Sequence, residues 1–365
     1  MLKKTPLYNA HLELKAKMVD FAGWEMPILY TNQIQEHHTT RKSAGLFDVG
    51  HMGLLKISGP TALKTIQHIC TNNAEKLDIS EIQYSLICNP HGGVMDDVLI
   101  YRQKDHFLMV CNSSNYQKVT SWLEQNKDGK TKLEDLRNLY TIIALQGPNS
   151  KKIISKLASA ATIAKLKHNQ IANVKMGTVK AMISRTGYTG EDGFEIYLKH
   201  EDAQDIWSSI LNAGQKYGIA PCGLAARDTL RIEAALPLYG QEYDEGLTPL
   251  EAGYGWAVDL NKDFIGKEAI IKQKEQGITK RLIGIESIDR IIPRYNYRIM
   301  PKDSFEIVGI VTSGTLSPTL SKPIGLAYLK KELIERGDPI TMEVRRKFIP
   351  VKTVKLPFYI REVHK

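Results

Sequence analysis

The sequence predicts an α+β protein with largely antiparallel sheets, closed at its C-terminal end by a small all-β domain. Three observations predict it. Strand-like runs in the first three quarters of the chain follow one another with short connections, which favours hairpins over crossovers. Helix-spaced segments are interspersed among them. After about Lys280 the character changes to short β-rich runs punctuated by Gly and Pro, the pattern of a small barrel or sandwich. A chain of 365 residues also exceeds what one core usually organises, so two or three domains are expected.

In chain order, "NQIQEHHTTRKSAG" (Asn32 to Gly45) reads as a helix ending at its glycine. His37 and His38 are adjacent on it, cannot both face one metal, and read as a solvated patch. "MGLLKISG", "YSLICN", "VLIYR" and "HFLMVCN" are strands, and "NYQKVTSWLEQNK" is a helix opened by Asn115 as cap. "KMGTVKAMISRTGYTGEDGFEIYLK" reads as two strands joined by a glycine-rich turn. "EDAQDIWSSILNAGQKYG" is an amphipathic helix with Ile206, Trp207, Ile210 and Leu211 at helical spacing. Beyond Lys280 come "RLIGIES", "FEIVGIVTSG", "IGLAYL", "ITMEV" and "IPVKTVKLPFYI", with one short helical candidate at Lys330 to Arg336. A domain boundary near residue 280 follows.

Composition excludes several classes. Hydrophobic content of 42% with 24% charged residues is ordinary for a folded globular chain. No apolar run reaches membrane-spanning length, and "MLKKTPLYNAHLELKAK" lacks the apolar core of a secretory signal, so the chain reads as cytoplasmic. The four cysteines are scattered without C-x-x-C, which argues for small core residues over a zinc knuckle or disulfide framework. Forty-nine basic against forty acidic residues give +9, a surplus that suits an anionic small molecule or an acidic partner. The basic residues are too dispersed to form a nucleic-acid signature. Dinucleotide, phosphate-loop, zinc-protease and serine-elbow motifs are missing, which disfavours a nucleotide enzyme or zinc hydrolase.

Candidate chemistry therefore lies in polar residues set among glycine-punctuated apolar segments. In "GGVMDDVLIYR" the adjacent Asp96 and Asp97 open a strand, so their side chains point to opposite faces and cannot share a proton as a dyad. Parity puts Asp97 with Met95, Leu99 and Tyr101, and Asp97 reads as the less solvated acid; either carboxylate can also simply cap the preceding turn. "FAGWEMPILY" and "GLFDVGHMG" place rings, Met26, Met52 and His51 beside glycines, each explicable as packing. Asn112 ends a strand, where its amide offers both a donor and an acceptor. Tyr188 sits in a turn, and Glu195 faces opposite Phe194 and Ile196, a position open to solvent. Arg227 and Arg231, four apart, form either a paired surface stripe or a grip for a carboxylate.

Read together and in this order, "MVDFAGWEMP", "GLFDVGHMG", "NPHGGVMDDVLIY", "LQGP", "SRTGYTGEDGFE", "GLAARDTLRIEA", "LYGQEYDEG", "LNKDFIGKEA" and "VTSGTLSPTL" resemble the aminomethyltransferase (T-protein) family of the glycine cleavage system over essentially the whole chain. The resemblance implies a three-domain cloverleaf: residues 1–280 as two interleaved α+β folate-binding subdomains, and residues 281–365 as a C-terminal β-barrel. It implies transfer of a one-carbon unit from the aminomethylated dihydrolipoyl arm of a partner H-protein to tetrahydrofolate, with no metal, nucleic acid or membrane involved. It carries the catalytic acid onto Asp97, and folate contacts onto Met52, Tyr84, Asn112, Tyr188, Glu195 and Arg227. Trp256, Arg294 and Tyr359 match positions near the rest of the ligand. Two departures stand out: Gly50 replaces a serine usual before "HMG", and Asn296 occupies a turn position where glycine is common. Rival readings fare worse. An iron–sulfur assembly factor of the same fold would carry a cysteine where Leu238 stands, and a folate-dependent demethylase module would be fused to a flavin domain for which the chain has no room.

Overall fold

Alternating apolar runs form nineteen strands in the computed structural model, which describes residues 1–362. The first thirteen are β1 (Lys17–Phe21), β2 (Trp24–Leu29), β3 (Ala44–Asp48), β4 (Gly53–Ser58), β5 (Ile82–Cys88), β6 (Val94–Arg102), β7 (His106–Cys111), β8 (Lys132–Asp135), β9 (Tyr140–Gln146), β10 (Ile171–Met176), β11 (Val179–Ser184), β12 (Gly193–Lys199) and β13 (Ile219–Pro221). The rest are β14 (Lys280–Ser287), β15 (Arg298–Pro301), β16 (Gly309–Ser317), β17 (Lys322–Lys330), β18 (Ile340–Val344) and β19 (Lys347–Val354). The described chain divides into two compact units. One comprises Met1–His68, Asn73–Ser85 and Val98–Asp228; the other comprises Ile69–Asn72, Leu86–Asp97 and the described chain from Thr229 onward.

In the first unit a six-stranded sheet runs β10-β11-β12-β9-β3-β13, antiparallel except where β13 lies parallel to β3. Helix Ala203–Gly214 buries Ile206, Trp207 and Ile210 in the core that Phe194, Ile196, Leu46 and Leu145 line. That is the apolar stripe its spacing predicts. A five-stranded sheet runs β5-β6-β7-β4-β8, and β1 and β2 form a separate ribbon. The second unit contains a closed six-stranded barrel, β14-β17-β16-β15-β18-β19, filled by Ile285, Ile299, Val311, Ala327, Leu329 and Met342. Of the two architectures the sequence left open, closure selects the barrel, which leaves no unpaired sheet edge.

Several local expectations are corrected. The first predicted helix is Gln33–Lys42, preceded by an unpredicted helix Tyr8–Glu13, and is capped by the Asn32 side chain, which accepts from Gln35 N–H. It stops before Gly45, which lies inside β3, where an added Cβ would fall 2.3 Å from Thr40 Oγ1. The glycine marks a close approach of packed elements, not a helix end. His37 is 0% exposed, so the predicted solvated patch is half core: the helix turns that histidine inward with Glu36, Thr40 and Arg41. Asn115 does precede helix Tyr116–Asn126, yet its side chain makes no cap bond, because a 3₁₀ turn (Ser113–Asn115) already leads into the helix. The stretch read as two strands follows a third, β10, which pairs with β11 through a hairpin at Gly177. All four cysteines are free and buried.

Candidate active site

Glu195, Tyr188 and Arg227 are brought together in the first unit, and the local sequence explains how. β12 alternates Phe194 and Ile196 into the core and turns Glu195 the other way. The preceding turn is pinned on three sides. Arg185 and Asp192 form a bidentate ion pair (Nε to Oδ1 and Nη2 to Oδ2, both 2.8 Å). Gln146 donates to Thr186 O and accepts from Thr189 Oγ1, and Arg41 donates to Thr189 O and Glu191. Gln146 crosses so close that a Cβ on Gly187 would lie 1.9 Å from its Oε1, so a side chain there would have to displace Gln146 from its bonds to Thr186 and Thr189. Held this way, the Tyr188 ring lies 4.6 Å from the Arg227 guanidinium, a cation–π distance.

The predicted solvated carboxylate is in fact half-buried and well furnished. Glu195 Oε2 accepts from Thr186 Oγ1 (2.5 Å) and Tyr197 OH (3.4 Å); Thr186 bonds Ser184, and Tyr197 bonds Tyr101. Burial raises the Glu195 carboxyl above its ordinary range, with the Thr186 bond, the Arg227 charge and the Tyr197 bond opposing it. The result is a carboxyl with one oxygen engaged by protein hydroxyls, beside a guanidinium and an aromatic face. Such a set suits a flat heteroaromatic ligand bearing N–H donors.

Met52 is placed by the turn between β3 and β4. Met52 N–H donates to Val49 O, and Gly50 N–H donates to Asp48 Oδ1 (2.8 Å). Asp48 is anchored in turn: its Oδ2 accepts from Thr5 Oγ1 (2.5 Å) and lies 2.8 Å from His11 Nε2, and Tyr30 OH lies 2.8 Å from His11 Nδ1. Burial alone would raise the Asp48 carboxyl, but the His11, Thr5 and Gly50 bonds prevail and hold it below its usual range. Sequence reading missed Thr5, His11 and Tyr30; only an acid ending the fully buried strand "AGLFD" signalled such a network. The structure also explains Gly50. A Cβ there would sit 2.2 Å from Thr141 Oγ1, so Thr141 fills the space a serine would need. Tyr84 on β5 and Asn112 at the end of β7 are both half-buried.

Asp97 belongs to the second unit, at the start of β6. Strand parity holds, but the solvation expectation reverses: Asp96 is the 0% exposed acid, sharing its face with buried Val98 and Ile100, while Asp97 is half-buried beside half-buried Leu99. The accessible acid is thus the one able to meet a ligand. The turn before it is built by Asn89, whose Oδ1 accepts from His91 and Gly93 N–H and whose amide donates to Glu245 O. Trp256 is 66% exposed and tilts against Tyr254 at 5.8 Å, the end of an aromatic series through Tyr243 to Tyr239. Arg294 is exposed, and Tyr359 is half-buried with its N–H donating to Glu233 O. Asn296 adopts φ +71°, the left-handed conformation glycine would supply and asparagine tolerates, so the turn survives the replacement.

The paired surface stripe is also corrected. Arg231 is 1% exposed and donates to Glu242 Oε2 (2.8 Å), Gln241 Oε1 and Ser313 Oγ. Glu233, one turn-edge further, accepts from Ser317, Thr319 Oγ1 and Thr319 N–H. These bonds account for much of "LYGQE" and "VTSGTLSPTL" as internal fasteners. Among the described residues no cluster of three or more His, Cys, Asp or Glu is arranged to hold a metal ion, and no helix is long and apolar enough to cross a membrane.

Comparison with known proteins identifies the family. Residues 7–262 match the family model described as the GCVT N-terminal domain, and residues 280–359 the glycine cleavage T-protein C-terminal barrel domain. Proteins named aminomethyltransferase from Geobacillus sp. (strain WCH70) and Bacillus subtilis (strain 168) are 46% and 43% identical, each across 99% of this chain and 100% of the relative. The crystal structure of glycine cleavage system aminomethyltransferase T from Bartonella henselae superposes with a TM-score of 0.91 at 31% identity, covering 100% of both chains. The chain belongs to the glycine cleavage T-protein family. Its activity is that of an aminomethyltransferase of the glycine cleavage system.

Proposed function

We propose that this chain takes the one-carbon unit from the aminomethylated dihydrolipoyl arm of an H-protein and delivers it to tetrahydrofolate as the acceptor substrate. In the balanced reaction the carbon loses its bonds to ammonia and to the lipoyl sulfur and gains bonds to two folate nitrogens, giving methylene-tetrahydrofolate, ammonia and dihydrolipoyl H-protein. The single observation that carries the folate reading is the Glu195, Tyr188 and Arg227 set: a carboxyl, a phenol face and a guanidinium from one strand, one pinned turn and one helix. Glu195 reads ring and amino N–H donors, Arg227 and Tyr188 hold the ring plane, and Met52, Tyr84 and Asn112 complete the contacts. Trp256, Arg294 and Tyr359 attend the remainder of the ligand, with residues 1–280 read as the folate-binding region and residues 281–365 as the barrel domain. No metal enters this scheme.

Asp97 positions the folate nitrogens and stabilises the positive charge that develops at carbon as ammonia leaves. Proton abstraction is not required of it, because the folate nitrogen is itself the nucleophile. The expected outcome is that Asp97→Asn, which keeps the shape and removes the charge, retains tetrahydrofolate binding while ammonia release from aminomethyl-loaded H-protein falls by roughly two to three orders of magnitude. Normal turnover of Asp97→Asn alongside failure of Asp96→Asn would reverse the assignment of the two acids. Ammonia release that is indifferent to added tetrahydrofolate would remove the acceptor from the scheme.

A further inference from the structure

The turn that places Met52 also carries a histidine to which the scheme above gives no task. His51 is 2% exposed, and its Nδ1 is buried without a hydrogen-bond partner. Buried polar atoms are nearly always paired, so a lone one on a well-fixed ring calls for an explanation. The ring is fixed on two sides. Phe21 meets it edge-to-face at 5.4 Å, and the Val49–Met52 turn is clamped by the Gly50 to Asp48 bond. It is also neutral at ordinary pH: burial first, then the Arg227 charge, press its pKa down to about 4 against the opposing pull of Asp48. An uncharged imidazole thus feels the guanidinium of Arg227 and adjoins Met52, two residues already read as ligand contacts.

We infer that His51 is a further ligand-contacting residue of the aminomethyltransferase, whose Nδ1 lone pair accepts a hydrogen bond from an N–H donor of the bound reduced pterin. The inference rests on the folate reading and deepens it. A neutral imidazole protonated at Nε2 leaves Nδ1 as an acceptor, and an unmet acceptor is tolerated inside a protein better than an unmet N–H. The unliganded protein carries the cost of that bare lone pair, and the ligand repays it. A group that only packed the turn would gain nothing from a nitrogen at that edge of the ring.

Isosteric substitutions separate these roles. Asparagine places a polar atom where Nδ1 lies, glutamine places one near Nε2, and leucine supplies none. Dissociation constants for tetrahydrofolate are measured together with melting temperatures in the absence of ligand. His51→Leu is expected to melt at or above the wild-type temperature and to bind at least tenfold more weakly, His51→Gln to bind as poorly, and His51→Asn to stay within threefold of wild type. Should His51→Leu not fold, the contrast between His51→Asn and His51→Gln decides alone. Equal affinity in all variants, or equal loss in His51→Asn and His51→Gln, overturns the inference. Wild-type protein that binds no tetrahydrofolate would instead overturn the folate reading beneath it, and this inference with it.

Discussion

Arg227 and Arg231 stand four residues apart on helix Leu224–Glu233, yet one serves the first unit and the other the second, and their surroundings are opposite. Arg227 is half-buried, lies over the Tyr188 ring, and presses on the charge states of Glu195 and His51. Arg231 is sealed, with Glu242 at 2.8 Å from its Nη1 and Gln241 and Ser313 both accepting from its Nη2. The same side chain is thus a proposed ligand contact in one place and a fastener in the other. What separates them is burial, half-buried beside an aromatic face against sealed beside a carboxylate, since spacing alone treats both residues alike.

The largest effect should come from the fastener. Arg231→Ala leaves Glu242 as an unpaired charge at 0% exposure, and loss of one partner from a buried pair typically costs about 3–5 kcal/mol. Urea unfolding should show this directly, and the double variant Arg231→Met with Glu242→Leu should recover most of it. A loss below about 1 kcal/mol would place Arg231 among ordinary exposed ion pairs and erase the contrast with Arg227.

Next in size is a pH effect on the ligand-facing side. His51 titrates near 6.5 when unfolded and at about 4 when folded, so between those values the unfolded chain binds the proton first. Its contribution is therefore neutral above about pH 6.5 and becomes destabilising as pH falls toward 4, reaching on the order of 3 kcal/mol for a shift of roughly 2.5 units. Glu195 acts in the opposite sense, since a raised carboxyl gains its proton in the folded state first, and Asp48 loses its stabilising effect only as pH falls through its depressed pKa. The difference between wild type and His51→Asn cancels both. That difference should open in favour of the variant between pH 6.5 and 4; parallel curves would show that the ring is not neutral and buried.

Much of the fold was legible because periodicity and turn chemistry are local. The barrel strands and the Ala203–Gly214 helix follow from residues within a few positions of one another, whereas the side-chain cap expected at Asn115 is found instead at Asn32. Burial of polar side chains was not legible in the same way. His37, Arg231 and Glu195 each look solvated from their immediate neighbours, yet His37 is buried, Glu195 is engaged by Thr186 and Tyr197, and Ser313, far away in sequence, accepts from Arg231. The Asp96 and Asp97 pair shows both sides. Strand geometry correctly sends them to opposite faces, but which face meets the core depends on packing no window of residues contains.

The smallest expected effect bears on the comparison most directly. Arg227→Ala removes a cation–π contact worth about 0.5–1 kcal/mol from a half-buried side chain, so unfolding should shift less than for the sealed Arg231. Tetrahydrofolate affinity should fall by about 1.5–3 kcal/mol, roughly ten- to 150-fold, because a charged hydrogen bond to the ligand is lost. The two readouts thus exchange magnitudes between the arginines: Arg231→Ala costs mainly stability, and Arg227→Ala costs mainly binding. Arg227→Lys sharpens the point, since it keeps the charge and gives up the planar fork. Affinity recovered by lysine would mean that Arg227 works through its field on Glu195 and His51, whereas persistent loss would mean that it grips the ligand by directed bonds. An unchanged dissociation constant in both variants would place Arg227 outside the ligand site altogether.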